Sequence, residues 1–215
     1  MQDDAFPGRE RAIELLNRFF DTIAVVHPYV GKSVLLREID VIELRTGTWQ
    51  SCSPSMQALL NIVFAYALAT YEDGASEPFY RRALGLLDER GLYKPAVESL
   101  QALLLLASFQ QNSQRAMESV TTLFRAVKAA YQIGVHSPSS YAKLGWRDQE
   151  LRSALWFAVV HTDRYLVTRK AKDVSGANPL VFVMKTYWFW TWASVLDSRA
   201  ARAHPSFRHD EVGCG

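Results

Sequence analysis

Asp148 to Thr168, DQELRSALWFAVVHTDRYLVT, decides the fold class. Leu151, Leu155, Ala158, Val159, Thr162 and Leu166 recur at steps of three and four, the spacing that lines one face of an α-helix. Trp156, Phe157 and Val160 widen that stripe beyond one face, so the helix is predicted to be mostly buried inside a bundle. At about 100° per residue, Arg152, Trp156 and Asp163 fall within roughly 40° of one another. Two charges then flank an indole on one line. On a buried face, Asp163 is expected to pair with an arginine of a neighbouring helix, and Arg152 to lay its stem along Trp156 with its head near solvent.

Working outward, the preceding segments repeat the helical pattern. Arg9 to Ala24 carries a stripe of Ile13, Leu16, Phe20 and Ile23 opposite Arg11, Glu14, Arg18 and Asp21, and His27-Pro28 is predicted to end it, because a residue before proline is driven out of the α region. A short helix over Ser33 to Ile39 follows. Residues 43–54 read as a loop whose Ser53 or Ser55 caps the next helix, where Met56, Leu59, Leu60, Val63, Ala67 and Tyr71 keep the helical period. Glu77 to Arg90 is predicted to bury Tyr80, Ala83, Leu84 and Leu87, with Gly91 in the left-handed position after its last turn. Val97 to Gln110 is apolar nearly all round and is expected at the centre. Gln114 to Ile133 is expected to bury Val120, Leu123, Phe124, Val127 and Tyr131 and to pair with it as a helical hairpin. No strand alternation is sustained before residue 180, so the body is read as all-α, a multi-helix bundle of antiparallel helical hairpins. No repeat near 34 residues supports a tetratricopeptide array.

Composition fits this reading. A chain of 215 residues with 49% hydrophobic and 21% charged side chains has enough apolar surface for one sizeable core. The net charge of +2 conceals an asymmetry: residues 1–163 hold 16 basic and 18 acidic groups, and residues 164–215 hold 8 and 4. The slightly acidic body argues against a nucleic-acid face on it. Cys52 and Cys214 have no ligand-like spacing, and the acidic N-terminus lacks the apolar run of a secretory signal. An intracellular, reducing setting is expected.

Chemistry-bearing motifs find no support. His27, His136, His161, His204 and His209 form no HxxxH or HExxH pair, and GxGxxG, GxxxxGK[ST] and GxSxG do not occur. No carboxylate pair sits in an apolar setting, so no catalytic, cofactor-binding or metal-ligating residue is assigned and the chain is read as a non-enzyme. Residues 179–196, PLVFVMKTYWFWTWASVL, resemble a membrane span, but a span needs about 20 apolar residues and Lys185 near its middle costs about 3 kcal/mol. A membrane role is not expected, and helix and strand both remain open there.

The order of these segments resembles the fungal-specific transcription-factor domain, the middle regulatory region of binuclear zinc-cluster regulators of the xylanolytic-activator type. LLNRFFDTIAVVHPYV at 15–30 is similar to that family's aromatic-rich opening helix with its His-Pro step. Residues 79–137 are similar to its central block, a Leu-rich helix followed by an Ala-rich one ending in Gly-x-His. ELRSALWFAVVHTDRYLV at 150–167 is similar to its arginine-containing helix with a Trp followed by Asp-Arg. The signature positions are His27, Pro28, Arg152, Trp156, Asp163 and Arg164.

The resemblance implies a regulatory domain over residues 7–172, acting in the nucleus on DNA-templated transcription through a regulatory protein, the transcription machinery or a small-molecule effector. Family DNA binding belongs to a six-cysteine zinc cluster that has no counterpart here, so no zinc and no direct DNA contact are expected of these residues. The match stops after Thr168. Residues 173–215 are therefore expected to be a divergent tail, partly apolar and partly disordered, of a truncated or mis-spliced product. The alternative from a different class is a helical scaffold or adaptor that binds a protein partner in a groove between hairpins.

Overall fold

The computed structural model describes residues 6–45, 47–71 and 75–173, with the side chains of Gln50 and of 166–173 outside the description. The chain divides after Leu166, and the packing below concerns the residues before that point. The tail at 173–215, the alternatives at 180–196 and the apolar run at 179–196 fall almost wholly outside the described residues. Within them there are eight α-helices and no strand, so the fold is all-α.

Helix α1 (Arg9–Thr22) buries Ala12, Leu15, Leu16 and Phe19. This face is rotated from the Ile13-Leu16-Phe20-Ile23 stripe read in the sequence. Ile13, Phe20 and Ile23 sit half-buried at its rim, because Ala12 lets the helix lie close to its neighbour while larger side chains fill the edges. Two arginines tie α1 sideways. Arg18 donates to Thr70 Oγ1 at 2.7 Å and stacks 3.9 Å over the Tyr71 ring, and Arg9 pairs with Asp40 at 2.9 Å.

Helix α2 (Lys32–Arg45) runs past the predicted end at Ile39 and buries Leu35, Ile39 and Ile42. The added turn uses Ile42, which continues the three-and-four spacing into a stretch that composition alone marked as loop. The true loop is short and anchored. Trp49 and Cys52 are buried in it, and Gln57 Nε2 donates to both their carbonyls at 2.6 and 2.8 Å.

Helix α3 (Pro54–Ala69) starts as expected: Ser53 Oγ accepts from Met56 N at 3.3 Å and Pro54 takes the first turn, where its missing N–H costs nothing. Every residue from Ala58 to Leu68 is buried, so α3 lies at the centre. Its Asn61 is fully buried and satisfied, donating to the Gln57 carbonyl at 2.8 Å and accepting from Arg82 at 3.2 Å.

Helix α4 (Glu77–Leu86) ends a turn before the predicted Arg90. Gly91 is not left-handed: among the described residues positive φ occurs at Gly8, Gly47, Gly134 and Gln114. It is needed for a close approach instead, since a Cβ there would meet the Leu86 carbonyl oxygen at 2.2 Å.

Helix α5 (Val97–Asn112) is the second central helix, buried on all sides as predicted. Polar residues fix its register rather than weaken it. Ser99 Oγ accepts from Ala96 N and donates to Ser55; Gln101 donates to the Tyr29 carbonyl at 2.6 Å. Gln110 donates to Tyr80 Oη at 3.1 Å and accepts from Thr122 at 2.8 Å, while Gln111 donates to Ser119, which donates to the Ala107 carbonyl.

Helix α6 (Ala116–Ile133) reverses the expected face. Its buried side is Ser119, Thr122, Leu123, Ala126, Ala129 and Ala130. Phe124 and Tyr131, read as core, are exposed. Small side chains let α6 lie close to α5, and the bulky ones are left on the outside. After the short α7 (Pro138–Tyr141), helix α8 (Trp146–Asp173) spans the opening stretch. Among its described side chains Leu155, Ala158 and Val159 are the buried ones, and Phe157 is exposed. The predicted central helix flanks the bundle, and α3 and α5 hold the centre.

Candidate functional site

Gly134 closes α6 in the left-handed conformation, φ 82°, its N–H reaching back to the Ala130 and Tyr131 carbonyls. The chain reverses there, burying Val135 and laying His136 against Tyr131, with ring centroids 4.5 Å apart. Trp156 of α8 closes the group, 6.0 Å from Tyr131 and 6.1 Å from His136, both edge-on. A half-buried indole, a half-buried imidazole and an exposed phenol thus form an aromatic platform on the surface. His136 Nδ1 is buried within it without a hydrogen-bond partner. Such a platform suits stacking against a planar or apolar group.

The signature residues divide into two groups. His27 is buried, its Nδ1 2.9 Å from Tyr29 Oη, and its ring lies against Tyr29 and Tyr66 at 5.7 and 5.9 Å. Burial lowers its pKa to about 4, so the ring is neutral. Pro28 is exposed, and His27, at φ −128° and ψ 63°, lies outside the α region as a residue before proline must. With Gln101 bonded to the Tyr29 carbonyl, this corner locks the end of α1 to α5.

On α8, Arg152 and Trp156 are half-buried while Asp163 and Arg164 are exposed. The expected buried clamp at Asp163 is therefore incorrect: the burying stripe of α8 is narrower than the sequence suggested, and Asp163 lies outside it. Trp156 packs on Tyr131 and His136. His161, half-buried, has its pKa lowered by burial. The sequence reading missed Tyr131 and His136 as partners of Trp156; the available signal was the Gly-x-His ending of 134–136, which fixes where the histidine ring falls.

Elsewhere the chemistry is structural. Burial, with the Glu38 carboxylate beside it, pushes the Cys52 thiol up to about 12, which leaves it unreactive. Among the described residues no group of three or more His, Cys, Asp or Glu is placed to hold a metal ion, and no helix is long and apolar enough to cross a membrane.

An all-helical body with an aromatic surface cluster and a locked His-Pro corner defines an all-α domain. The chain matches the family described as "Fungal specific transcription factor domain" over residues 16–169, and it belongs to that family. It is 26% identical over 179 residues to "Transcription factor FBD3" of Fusarium pseudograminearum, covering 81% of this chain and 23% of that protein. A second relative of the same name, from Gibberella moniliformis, is 25% identical over 180 residues, covering 80% and 24%. The chain spans about a quarter of the length of these relatives. No solved structure matches it.

Proposed function

We propose that this chain is the regulatory domain of a fungal transcription factor, acting in the nucleus by binding a regulatory protein or a small-molecule effector rather than by catalysis. The observation that carries the reading is the family match across residues 16–169. The Tyr131-His136-Trp156 platform is the surface we assign to that binding, because aromatic groups give large contact area at little entropic cost. DNA is read through a zinc cluster, which Cys52 and Cys214 are too few to build, so these residues act on DNA only indirectly.

The test is a reporter assay with the full chain fused to a heterologous DNA-binding domain. Reporter output should shift relative to the DNA-binding domain alone, and Tyr131→Ala with Trp156→Ala should return it to that baseline while the fusion remains nuclear and folded. A fusion whose output equals the baseline at matched nuclear abundance would overturn the regulatory reading. A shift that survives both substitutions would remove the platform from it.

A further inference from the structure

The connection between α6 and α8 is stitched to α8 at two places. His136 lies against Trp156, with ring centroids 6.1 Å apart, and Gln149 Nε2 donates to the Ala142 and Leu144 carbonyls at 3.1 and 2.8 Å. Gln149 and Trp156 are two turns apart, so both stitches fall on one line of α8, about 10 Å apart along its axis. The turn Ser137-Pro138-Ser139-Ser140 is the chain between them. Arg152 stands at the same level of α8, a turn beyond Gln149 and a turn before Trp156, on the flank of that line nearer the buried Leu155 and Val159. It is half-buried, yet it forms no hydrogen bond, ion pair or ring contact among the described residues, Asp148 one turn before it included. A guanidinium drawn out of water favours an anionic partner.

The turn beside it has a place to carry one. Ser137 immediately precedes Pro138, its backbone is extended at φ −121° and ψ 107°, and its hydroxyl meets that of Ser139 at 2.9 Å instead of capping α7. Pro138, Ser139 and Ser140 are exposed. An extended serine followed by proline is the form in which a proline-directed protein kinase takes its substrate, because proline leaves no unbonded N–H at the next position. We propose that Ser137 is a phosphorylation site for a proline-directed kinase and that Arg152 is the receptor for its phosphate. In the transfer, Ser137 Oγ bonds to the γ-phosphorus of ATP as the bond from that phosphorus to the β–γ bridging oxygen breaks; ADP leaves, and the hydroxyl proton passes to the kinase's catalytic carboxylate. The phosphate then pairs with the Arg152 guanidinium, whose planar fork can hold two of its oxygens. This sets a third stitch between the other two and clamps the connection, His136 with it, onto α8. The clamp goes beyond the regulatory reading and does not rest on it, since it is measurable on the purified chain alone.

The test is treatment of the full chain with a proline-directed protein kinase and ATP, mapped by tandem mass spectrometry and followed by a phosphorus NMR titration. Phosphate should enter at Ser137; Ser137→Ala should abolish that modification, and Pro138→Ala should slow it about tenfold or more. The phosphoserine, whose second pKa is ordinarily about 6, should titrate about half a unit or more lower in the wild-type chain, at its ordinary value in Arg152→Gln, and in between in Arg152→Lys. Hydrogen exchange across residues 134–145 should slow about fivefold on phosphorylation of the wild-type chain and stay unchanged in Arg152→Gln. A kinase that leaves Ser137 unmodified, or modifies other serines in its place, overturns the proposal. So does a wild-type phosphoserine with an ordinary pKa, a result that requires no variant to fold. A lowered pKa that persists in Arg152→Gln overturns it too, since the phosphate's partner then lies elsewhere.

Discussion

His27 sits between two tyrosine rings with its pKa lowered to about 4 by burial, and this gives the stability of the fold a definite pH dependence. The unfolded chain binds a proton near pH 6.5 that the folded chain refuses until about pH 4. Stability is therefore complete above about pH 6.5 and falls as the pH drops through that window, by roughly 3 kcal/mol at its foot. His161, also lowered by burial, acts in the same direction. Glu77, held below the usual carboxylate range by hydrogen bonds from Arg115 and Arg81, adds its loss only at lower pH. Urea unfolding at pH 7 and pH 4.5 should show the fall, and His27→Phe, which fills the space without titrating, should remove most of it; an equal slope in both proteins would refute the assignment. Asp163 behaves oppositely. Being exposed, it should cost under about 0.5 kcal/mol when replaced by alanine, whereas a loss of 3 kcal/mol would mean a buried partner. Of the six signature residues, the non-helical backbone of His27 before Pro28 was legible because the steric rule is local, although α1 itself ends earlier, at Thr22, and a 3-10 turn over Ala24–Val26 leads to His27. The exposure of Asp163 was not, because it depends on how wide a stripe the neighbours of α8 cover.

Helix α6 shows where periodicity stops being informative. Its sequence contains two stripes, one of Val120, Phe124, Val127 and Tyr131 and one of Ser119, Thr122, Ala126, Ala129 and Ala130. Hydrophobicity favours the first, and close packing against α5 selects the second, since alanine and serine allow a short interhelical distance and supply the hydrogen bonds to Ala107 and Gln111. The same competition rotates α1 around Ala12. Element boundaries were legible where a cap was recognised in the chain, as at Ser53-Pro54 and Gly134; they were missed at the end of α2, where Gly47, left-handed and bonded to the Ile42 carbonyl, was read as part of a loop, and at the end of α4. Two measurements follow for α6. Ala126→Leu or Ala130→Leu should destabilise by about 1–3 kcal/mol through overpacking against α5, while Phe124→Ser should cost under about 1 kcal/mol; the reverse order, by thermal or urea unfolding, would restore the face read from sequence. Gly134→Ala should cost about 1–2 kcal/mol, because it forces a left-handed alanine and brings its Cβ to 2.9 Å from Ser140 Oγ.

At the scale of the molecule, the all-α class was legible from the helical period alone, but the ranking of helices by depth was not. The opening stretch of α8 has bulky residues around much of its circumference, yet among its described side chains only Leu155, Ala158 and Val159 are buried, while α3 and α5 are enclosed along nearly their whole length. What separates them is composition: α3 and α5 carry no charged residue between Pro54 and Ala69 or between Leu100 and Asn112, and α8 carries Arg152 and Glu150 within its apolar run. A charge every few residues keeps one side of a helix wet, and the helix is displaced to the flank. This ordering should appear in hydrogen exchange. Amides of α3 and α5 should open only with global unfolding, whereas those of α8 should exchange through a local opening of lower free energy. Leu103→Ala removes a fully buried side chain and should cost about 2–5 kcal/mol, lowering protection in α3 and α5 together. Trp156→Ala, at the half-buried edge, should lower protection around Trp156 and His136 and leave α3 and α5 unchanged. If Trp156→Ala instead lowers every amide by the same free energy, α8 belongs to the cooperative core and the placement of α3 and α5 as its sole centre is wrong.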